Sequence, residues 1–251
     1  MVVTWLEQST ADVPGENNWL SAWEESLLNG MRIPKRRSDW RLGRWTAKHA
    51  IATVLNITLH PATLALIEIR PAASGAPEAY FENNPANVSI SLSHRAGRAA
   101  CAVAPSGTML GCDLELIEPR SEAFIADYFT AEEQALVERT SEADRPVVVA
   151  WLWSAKESVL KALHTGLRLD TRSVSITVGG EWVTPVEKDL SRAPYPAVSV
   201  SLRSTEDWQP FRASYADDQI FYGWWQRRRD LMRTVATDSL ANPPSLLEIR
   251  Q

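Results

Sequence analysis

Two acidic residues one position apart are the sharpest chemical feature of the sequence. In the segment Gly111-Cys112-Asp113-Leu114-Glu115, the alternation of a strand places Asp113 and Glu115 on one face, about 6.6 Å apart. Carboxylates on one face repel each other unless a cation lies between them. Oxygen ligands of this kind suit Mg²⁺, which shares its coordination shell with substrate phosphates. The segment therefore predicts a magnesium site, with a solvated strand face as the alternative.

A second motif follows in the segment from Trp153 to Lys161, which has the spacing of a helix. Trp153, Glu157 and Lys161 stand at i, i+4 and i+8 and share one helical face. Glu157 could supply a third carboxylate to the metal, and Lys161 a positive charge or a proton. The alternative is an ordinary exposed Glu–Lys pair.

Basic residues form a third motif on one side of the first predicted helix. Arg41, Arg44 and Lys48 stand at i, i+3 and i+7, and Arg37 lies one turn earlier. They span roughly 10 Å along the helix, which is enough to meet more than one phosphate group. The alternative is a solvated helix face.

A strand that ends in Ser93 and His94 is the fourth motif. Alternation turns Val88, Ile90 and Leu92 inward and Ser89, Ser91 and Ser93 outward. The terminal Ser-His-Arg cluster can donate several hydrogen bonds to a phosphate. A nucleophilic Ser/His pair is disfavoured because the Gly-x-Ser-x-Gly elbow is missing here.

Two long helices in strand-rich surroundings must position these motifs. The first is predicted after Ser38-Asp39 and includes Ala47, Ala50 and Ile51, and the second begins near Pro146. The predicted strands are Leu64–Arg70, Val88–Leu92, Ala99–Ala104, Met109–Leu116, Val174–Val178, Ala197–Leu202, Phe211–Tyr215 and Gln219–Trp225. Each half contains one long helix and several strands, which predicts an α+β fold and argues against a doubly wound sheet.

Composition is that of a globular protein with an acidic surface. The chain has 251 residues, is 45% hydrophobic and carries a net charge of −5, which argues against general nucleic-acid binding. The longest apolar run, Val147 to Trp153, is too short for a membrane span, and we find no signal pattern. The cysteines Cys101 and Cys112 fit small buried hydrophobes. We expect a cytoplasmic protein.

The order of the four motifs resembles the 4′-phosphopantetheinyl transferase superfamily, in particular its longer, single-chain, surfactin-synthetase-activating type. The resemblance covers roughly residues 34 to 167 and includes the segment Phe129-Thr130-Ala131-Glu132-Glu133, which is similar to another family landmark. Single motifs are weak signals. Gly-x-Asp-x-Glu followed at this separation by Trp-Ser-x-Lys-Glu-x-x-x-Lys is specific, and the resemblance rests mainly on that pair.

This resemblance implies an enzyme, a holo-[acyl-carrier-protein] synthase. It would transfer the 4′-phosphopantetheine moiety of coenzyme A to a serine of an apo acyl or peptidyl carrier protein, release adenosine 3′,5′-bisphosphate and need Mg²⁺. It also implies two similar α+β subdomains related by a pseudo-two-fold axis, each with a long helix on a small, mainly antiparallel sheet, and a ligand cleft between them. We expect subdomains at 1–107 and 108–233, a tail at 234–251, a monomer and a role in secondary metabolism.

Residue roles follow from the same resemblance. The implied metal ligands are Asp113, Glu115 and Glu157. Glu157 and Lys161 are the implied catalytic residues, and our hypothesis is that Glu157 accepts the serine proton. The residues implied to contact coenzyme A are Arg41, Arg44, Lys48, Ser93, His94 and Lys156.

The chain departs from the family pattern in two places. Ala76 stands where a basic residue is common, and Arg95 follows His94 where a small residue is common. Our hypothesis is that Arg95 or Arg98 replaces the lost phosphate contact. Two other functions remain open, namely a magnesium-dependent hydrolase of a nucleotide or pyrophosphate and an inactive homologue that binds carrier proteins.

Overall fold

The computed structural model describes residues 1–165, 168–178, 207–216 and 219–247. Its helices are α1 (Ala22–Gly30), α2 (Pro34–Val54), α3 (Pro61–Leu64), α4 (Glu122–Tyr128), α5 (Ala131–Arg139) and α6 (Arg145–Ala162). Its strands are β1 (Thr4–Ser9), β2 (Ile67–Pro71), β3 (Pro77–Phe81), β4 (Asn84–Pro85), β5 (Val88–Arg95), β6 (Arg98–Pro105), β7 (Leu110–Leu116), β8 (Val174–Val178), β9 (Gln209–Tyr215), β10 (Gln219–Arg228), β11 (Leu231–Thr237) and β12 (Ser245–Leu246). The predicted α+β class is confirmed.

Helix α2 lies on the sheet of strand order β12-β1-β6-β5, in which only the short β1–β12 pair is parallel among the described strands. It begins earlier than predicted, because Pro34 fits the first turn, where a missing N–H leaves no bond unmade. Its apolar face, including Ala47 and Ile51, is fully buried against β1 and β6. A smaller sheet of order β2-β3-β4 adjoins it.

Helix α6 begins at Arg145 with Pro146 in its first turn, as predicted. It packs on the antiparallel sheet of order β7-β11-β10-β9-β8, mainly on β7 and β11. Its buried residues, among them Trp151, Leu152 and Val159, form the core of this half. Helix α6 and β7 together carry the two acidic motifs.

Strand β11 corrects the prediction that a tail begins at Thr234. The strand runs from Leu231 to Thr237 between β7 and β10, and the side chains of residues 231–237 are all buried. The predicted boundary at residue 233 therefore falls inside a strand. Arg233 and Thr234 interrupt its apolar pattern, but Arg233 is paired at 2.6 Å with Glu7 in β1.

Other predicted elements are largely confirmed. The strands predicted at Val88–Leu92, Ala99–Ala104, Met109–Leu116, Val174–Val178, Phe211–Tyr215 and Gln219–Trp225 are present with slightly different bounds. The strand predicted from Leu64 begins at Ile67, because Leu64 ends α3. The strand predicted at 197–202 lies outside the described residues. Elements without a matching prediction are β1, β3, β4, β11, β12, α1, α3, α4 and α5.

Two further expectations concern cysteine and the membrane. Cys101 and Cys112 are free and buried, as expected of small hydrophobes. Among the described helices we find none with the length and apolar character needed to cross a membrane.

Strand β5 meets β7 through side chains rather than through a backbone ladder. The Cys112 amide donates to Ser91 Oγ at 2.9 Å, and the Leu114 amide donates to Ser93 Oγ at 3.2 Å. Ser91 and Ser93 are consequently buried, which corrects the prediction that they face outward. This junction brings the Ser-His strand beside the acidic strand.

Candidate active site

Asp113 is the centre of a buried polar cluster. Its Oδ1 accepts hydrogen bonds from Ser93 Oγ and from Lys161 Nζ, both at 2.8 Å. Lys161 also donates to the Cys112 carbonyl at 3.0 Å. Side chains from β5, β7 and α6, predicted separately from the sequence, therefore meet at one point.

Small residues allow α6 to come this close to the sheet. A Cβ at position 111 would lie 1.7 Å from the Ser158 carbonyl oxygen, so only Gly111 fits beneath the helix. Ser154 and Ser158 hydrogen-bond Thr234 Oγ1 on β11, at 2.9 and 2.6 Å. This close packing holds α6 in an orientation in which Glu157 and Lys161 face β7, the acidic strand.

Glu157 lies in the field of the two other carboxylates. Burial, together with the charges of Asp113 and Glu115, raises its pKa to about 7, although Lys161 acts in the opposite direction. Its Oε1 atom and Asp113 Oδ2 are both buried and have no hydrogen-bond partner. Buried carboxylate oxygens without partners are costly, and an oxygen-seeking cation would relieve this cost.

Glu115 is held by two arginines. Its Oε1 lies 2.9 Å from Arg95 Nε and 3.3 Å from Arg120, and it also accepts from the Leu116 amide. Burial raises the pKa of Glu115, and Asp113 raises it further, while the two arginines lower it. Arg120 was not predicted, since no spacing rule links it to the acidic strand.

The fit of a metal ion depends on these partners. In the part of the chain that the structure describes, no three His, Cys, Asp or Glu side chains are grouped closely enough to hold a metal ion. Asp113 and Glu157 each offer a free buried oxygen, whereas Glu115 is occupied by its arginines. The donor set fits a hard divalent cation at Asp113 and Glu157, and Glu115 would join them only on leaving Arg95 and Arg120.

Lys161 carries the positive charge of the cluster. Burial alone would lower its pKa, but the charge and hydrogen bond of Asp113 outweigh burial and raise it. Its side chain keeps 27% of its surface exposed on a cavity of about 580 Å³. The ammonium group is therefore charged, and the Lys161 side chain forms part of the wall of that cavity.

Of the predicted basic stripe, Arg44 alone lies on a cavity beside the Ser-His strand in the described structure. This α2–β5 cavity of about 460 Å³ is lined by Ile33, Lys35, Arg36, Asp39, Trp40, Gly43, Arg44, Leu92, Ser93 and His94. Arg44 stacks over Trp40, with 4.7 Å between the guanidinium and the ring centre. Lys35 and Arg36 also face the cavity and were not predicted, because they precede the assumed start of the helix.

Arg41 and Lys48 point away from this cavity. Arg41 donates to the carbonyls of Gly15 and Glu16, at 3.2 and 3.1 Å. Lys48 is fully buried, pairs with Glu24 at 2.6 Å and donates to the Trp19 and Leu64 carbonyls. The structure therefore gives Lys48 a role within the fold, whereas Arg41 is partly exposed and held by the segment before α1.

Lys156, predicted to contact the cofactor, is also fully buried. It pairs with Glu133 at 2.8 Å and donates to the carbonyls of Thr171 and Val174. Glu133 is the third residue of α5, where it forms a capping box with Thr130. The pair ties α6 to the start of α5, and no surface of Lys156 remains for a ligand.

The suggested replacements for the missing basic residue at position 76 are engaged elsewhere. Arg95 is bound to Glu115 and Glu118, and Arg98 is bound to Glu7. The cavity beside Lys161 is lined by Ala76, His164 and Arg168 as well. His164 and Arg168 therefore join Lys161 as the side chains there that can carry positive charge.

Residues 109–216 match the model of the 4′-phosphopantetheinyl transferase superfamily. The matched region contains Asp113, Glu115, Glu157 and Lys161, whereas α2 and the Ser-His strand lie before it. This match supports a transferase of the phosphopantetheinyl type. No curated protein matches the chain.

Proposed function

We propose that this protein transfers the 4′-phosphopantetheine moiety of coenzyme A to a serine of an apo carrier protein, as the surfactin-synthetase-activating type does. The observation that carries the proposal is the meeting of Asp113, Glu157 and Lys161, with two buried carboxylate oxygens unpaired, inside the region that matches the superfamily. Each of these side chains has a role in phosphoryl transfer that its surroundings support.

Asp113 and Glu157 are the residues that would hold Mg²⁺, with Glu115 as a further ligand. When bound, the cation would neutralise charge on the diphosphate of coenzyme A. Lys161 pairs with Asp113 at 2.8 Å, which is consistent with a site that favours positive charge.

The reaction forms a bond from the carrier serine Oγ to the phosphorus that bears pantetheine, and breaks that phosphorus's bond to the bridging oxygen. Adenosine 3′,5′-bisphosphate leaves with the bridging oxygen. Glu157, whose carboxylate faces the acidic strand, accepts the serine proton. Lys161 donates hydrogen bonds to the leaving phosphate from the cavity wall.

The α2–β5 cavity is the proposed place for the 3′-phosphate of coenzyme A. Arg44, Lys35, Arg36 and His94 line it together with Asp39, which pairs with Lys35 at 2.6 Å. Arg44 donates to the Ile69 carbonyl at 3.2 Å, and Arg36 is the exposed arginine of the lining. Arginine favours such sites because it can donate two parallel hydrogen bonds to a phosphate. Ser93, which also lies on this cavity, connects it to Asp113.

Two matching ion pairs support the proposal that the halves of the chain are similar subdomains. Lys48–Glu24 joins α2 to a capping box at the start of α1, and Lys156–Glu133 joins α6 to a capping box at the start of α5. Each glutamate also accepts from a strand amide, that of Ile69 or of Ile176. The pairs stand at equivalent places in each half.

Intact-mass analysis of a carrier protein tests the function directly. The protein is incubated with coenzyme A, Mg²⁺ and an apo acyl carrier protein, and we expect the carrier to gain the phosphopantetheine mass. Asp113→Asn should lower the rate on the order of 100-fold, whereas Asp127→Asn, an exposed change on α4, should leave it unchanged. Near-normal transfer by Asp113→Asn would refute the site. Bisphosphate release without a carrier would indicate a hydrolase instead.

A further inference from the structure

Exposed apolar side chains gather where α1 joins α2. Trp23 and Leu27, one turn apart on α1, are 38% and 40% exposed, and Ile33 in the connection is 60% exposed. Other large apolar side chains exposed in the described ranges include Met1, Val2, Leu240 and Leu246, which lie toward the chain ends. An apolar patch of this kind on a folded surface is typical of a binding site.

A groove of about 480 Å³ runs along this patch. It is lined by Ser26, Leu27, Gly30, Met31, Arg32, Ile33 and Arg36. Arg32 and Arg36 are its charged lining residues and both are exposed, although the chain as a whole has a net charge of −5. This α1–α2 groove is therefore lined by apolar and positively charged side chains, with Arg32 and Arg36 as its charged residues.

The α1–α2 groove is continuous with the α2–β5 cavity. Ile33 and Arg36 line both. The cavity in turn reaches Ser93, whose hydroxyl lies 2.8 Å from Asp113. A macromolecule seated in the groove would thus lie directly beside the cavity proposed for coenzyme A.

We propose that the α1–α2 groove docks the carrier protein through an acidic amphipathic helix of that partner. The proposal rests on the proposed function, which requires a protein to present a serine to the site. An apolar helix face would cover Leu27 and Ile33, and acidic residues beside it would meet Arg32, which lines the groove and not the α2–β5 cavity. Complementary charge at the rim chiefly speeds association and selects the partner.

The test uses the double variant Arg32→Glu with Leu27→Ser, an acidic apo acyl carrier protein and coenzyme A. Neither residue lines the α2–β5 cavity, so coenzyme A binding should be unchanged. We expect KM for the carrier to rise about tenfold with kcat retained. The matched control is Arg228→Glu, which makes the same charge change at an exposed position on β10 and should leave KM unchanged.

A direct binding measurement distinguishes failure of the docking proposal from failure of the proposed function. The affinity of the apo carrier for the intact protein is measured by calorimetry whether or not transfer occurs. Weaker binding by the double variant alone supports the groove even if no phosphopantetheine is transferred. Three results would overturn the docking proposal: unchanged carrier binding by the double variant, an equal loss of binding in Arg228→Glu, or dimerisation of the protein through the groove in sedimentation. None of them would change the result of the transfer assay.

Discussion

Replacing Glu157 by Gln should change the pH dependence of stability in the metal-free protein. The surroundings raise the Glu157 pKa from the usual 4.5 to about 7. Between these values the folded state keeps a proton that the unfolded state has lost. The free energy of unfolding therefore falls as pH rises through this window, and the contribution is fully present only below about pH 4.5.

The magnitude follows from the same two values. At about 1.4 kcal/mol for each pH unit between them, the ionised carboxylate would destabilise the fold by about 3 kcal/mol above pH 7. Glu157 is only partly buried, so solvent screening reduces this figure, and we expect about 2 kcal/mol. Glutamine keeps the shape without the charge. Glu157→Gln should therefore be more stable than the natural protein at about pH 8 and nearly equal to it at about pH 4.5.

Urea unfolding followed by tryptophan fluorescence measures this difference in a buffer with EDTA. The matched control is Glu142→Gln, an exposed change in the loop before α6, which should shift stability little at either pH. Added Mg²⁺ should reverse the ranking at about pH 8, because the cation stabilises the carboxylate and not the amide. The same stability change at both pH values would refute a raised Glu157 pKa.

Four further changes test the packing and the metal. Gly111→Ala should destabilise the protein by about 3 kcal/mol, because its Cβ would overlap the Ser158 carbonyl, measured as a lower urea midpoint. Lys156→Met should cost about 3 to 5 kcal/mol by leaving Glu133 buried and unpaired, and Lys48→Met should cost about as much in the other half. EDTA should abolish carrier modification in the intact-mass assay, and Mg²⁺ should restore it.

A specific result would contradict the prediction for the packing, for the ion pair or for the metal. A Gly111→Ala protein as stable as the natural one would mean that α6 does not lie against β7 as described. For Lys156→Met, Glu133→Gln in the same chain should recover most of the loss, and failure to recover would show that the ion pair is not its source. Full transfer in EDTA would remove the metal from the mechanism.

The acidic cluster could be predicted from the sequence because local rules position its members. Strand alternation predicts that Asp113 shares one face of its strand with Glu115, and helical spacing predicts that Glu157 and Lys161 share one face of their helix. In the structure, Lys161 meets Asp113 at 2.8 Å, although they lie far apart in the chain. Local rules did not reveal that Arg95 and Arg120 would occupy Glu115, since those contacts depend on how loops pack after the strand.

The basic helix shows where such rules fail. Helical spacing predicts that Arg44 and Lys48 share a face of α2, but it does not predict whether that face contacts solvent or protein. Lys48, one turn after Arg44, pairs with Glu24 of α1 and is fully buried, whereas Arg44 lines a cavity. The prediction that Ser91 and Ser93 face outward was wrong for the same reason. Alternation distinguishes the two faces of a strand, but it does not reveal that a second sheet covers one of them.

Residues without reactive groups decide whether the reactive ones meet. Gly111 lets α6 approach β7, and Ser154 and Ser158 hold the helix on Thr234. Carboxylates repel each other at close range. Bringing Glu157 toward Asp113 therefore does not stabilise the fold. A helix free to relax would move those charges apart. The small-residue contact that prevents this movement is therefore part of the site, and its loss should reduce cation affinity before it unfolds the protein.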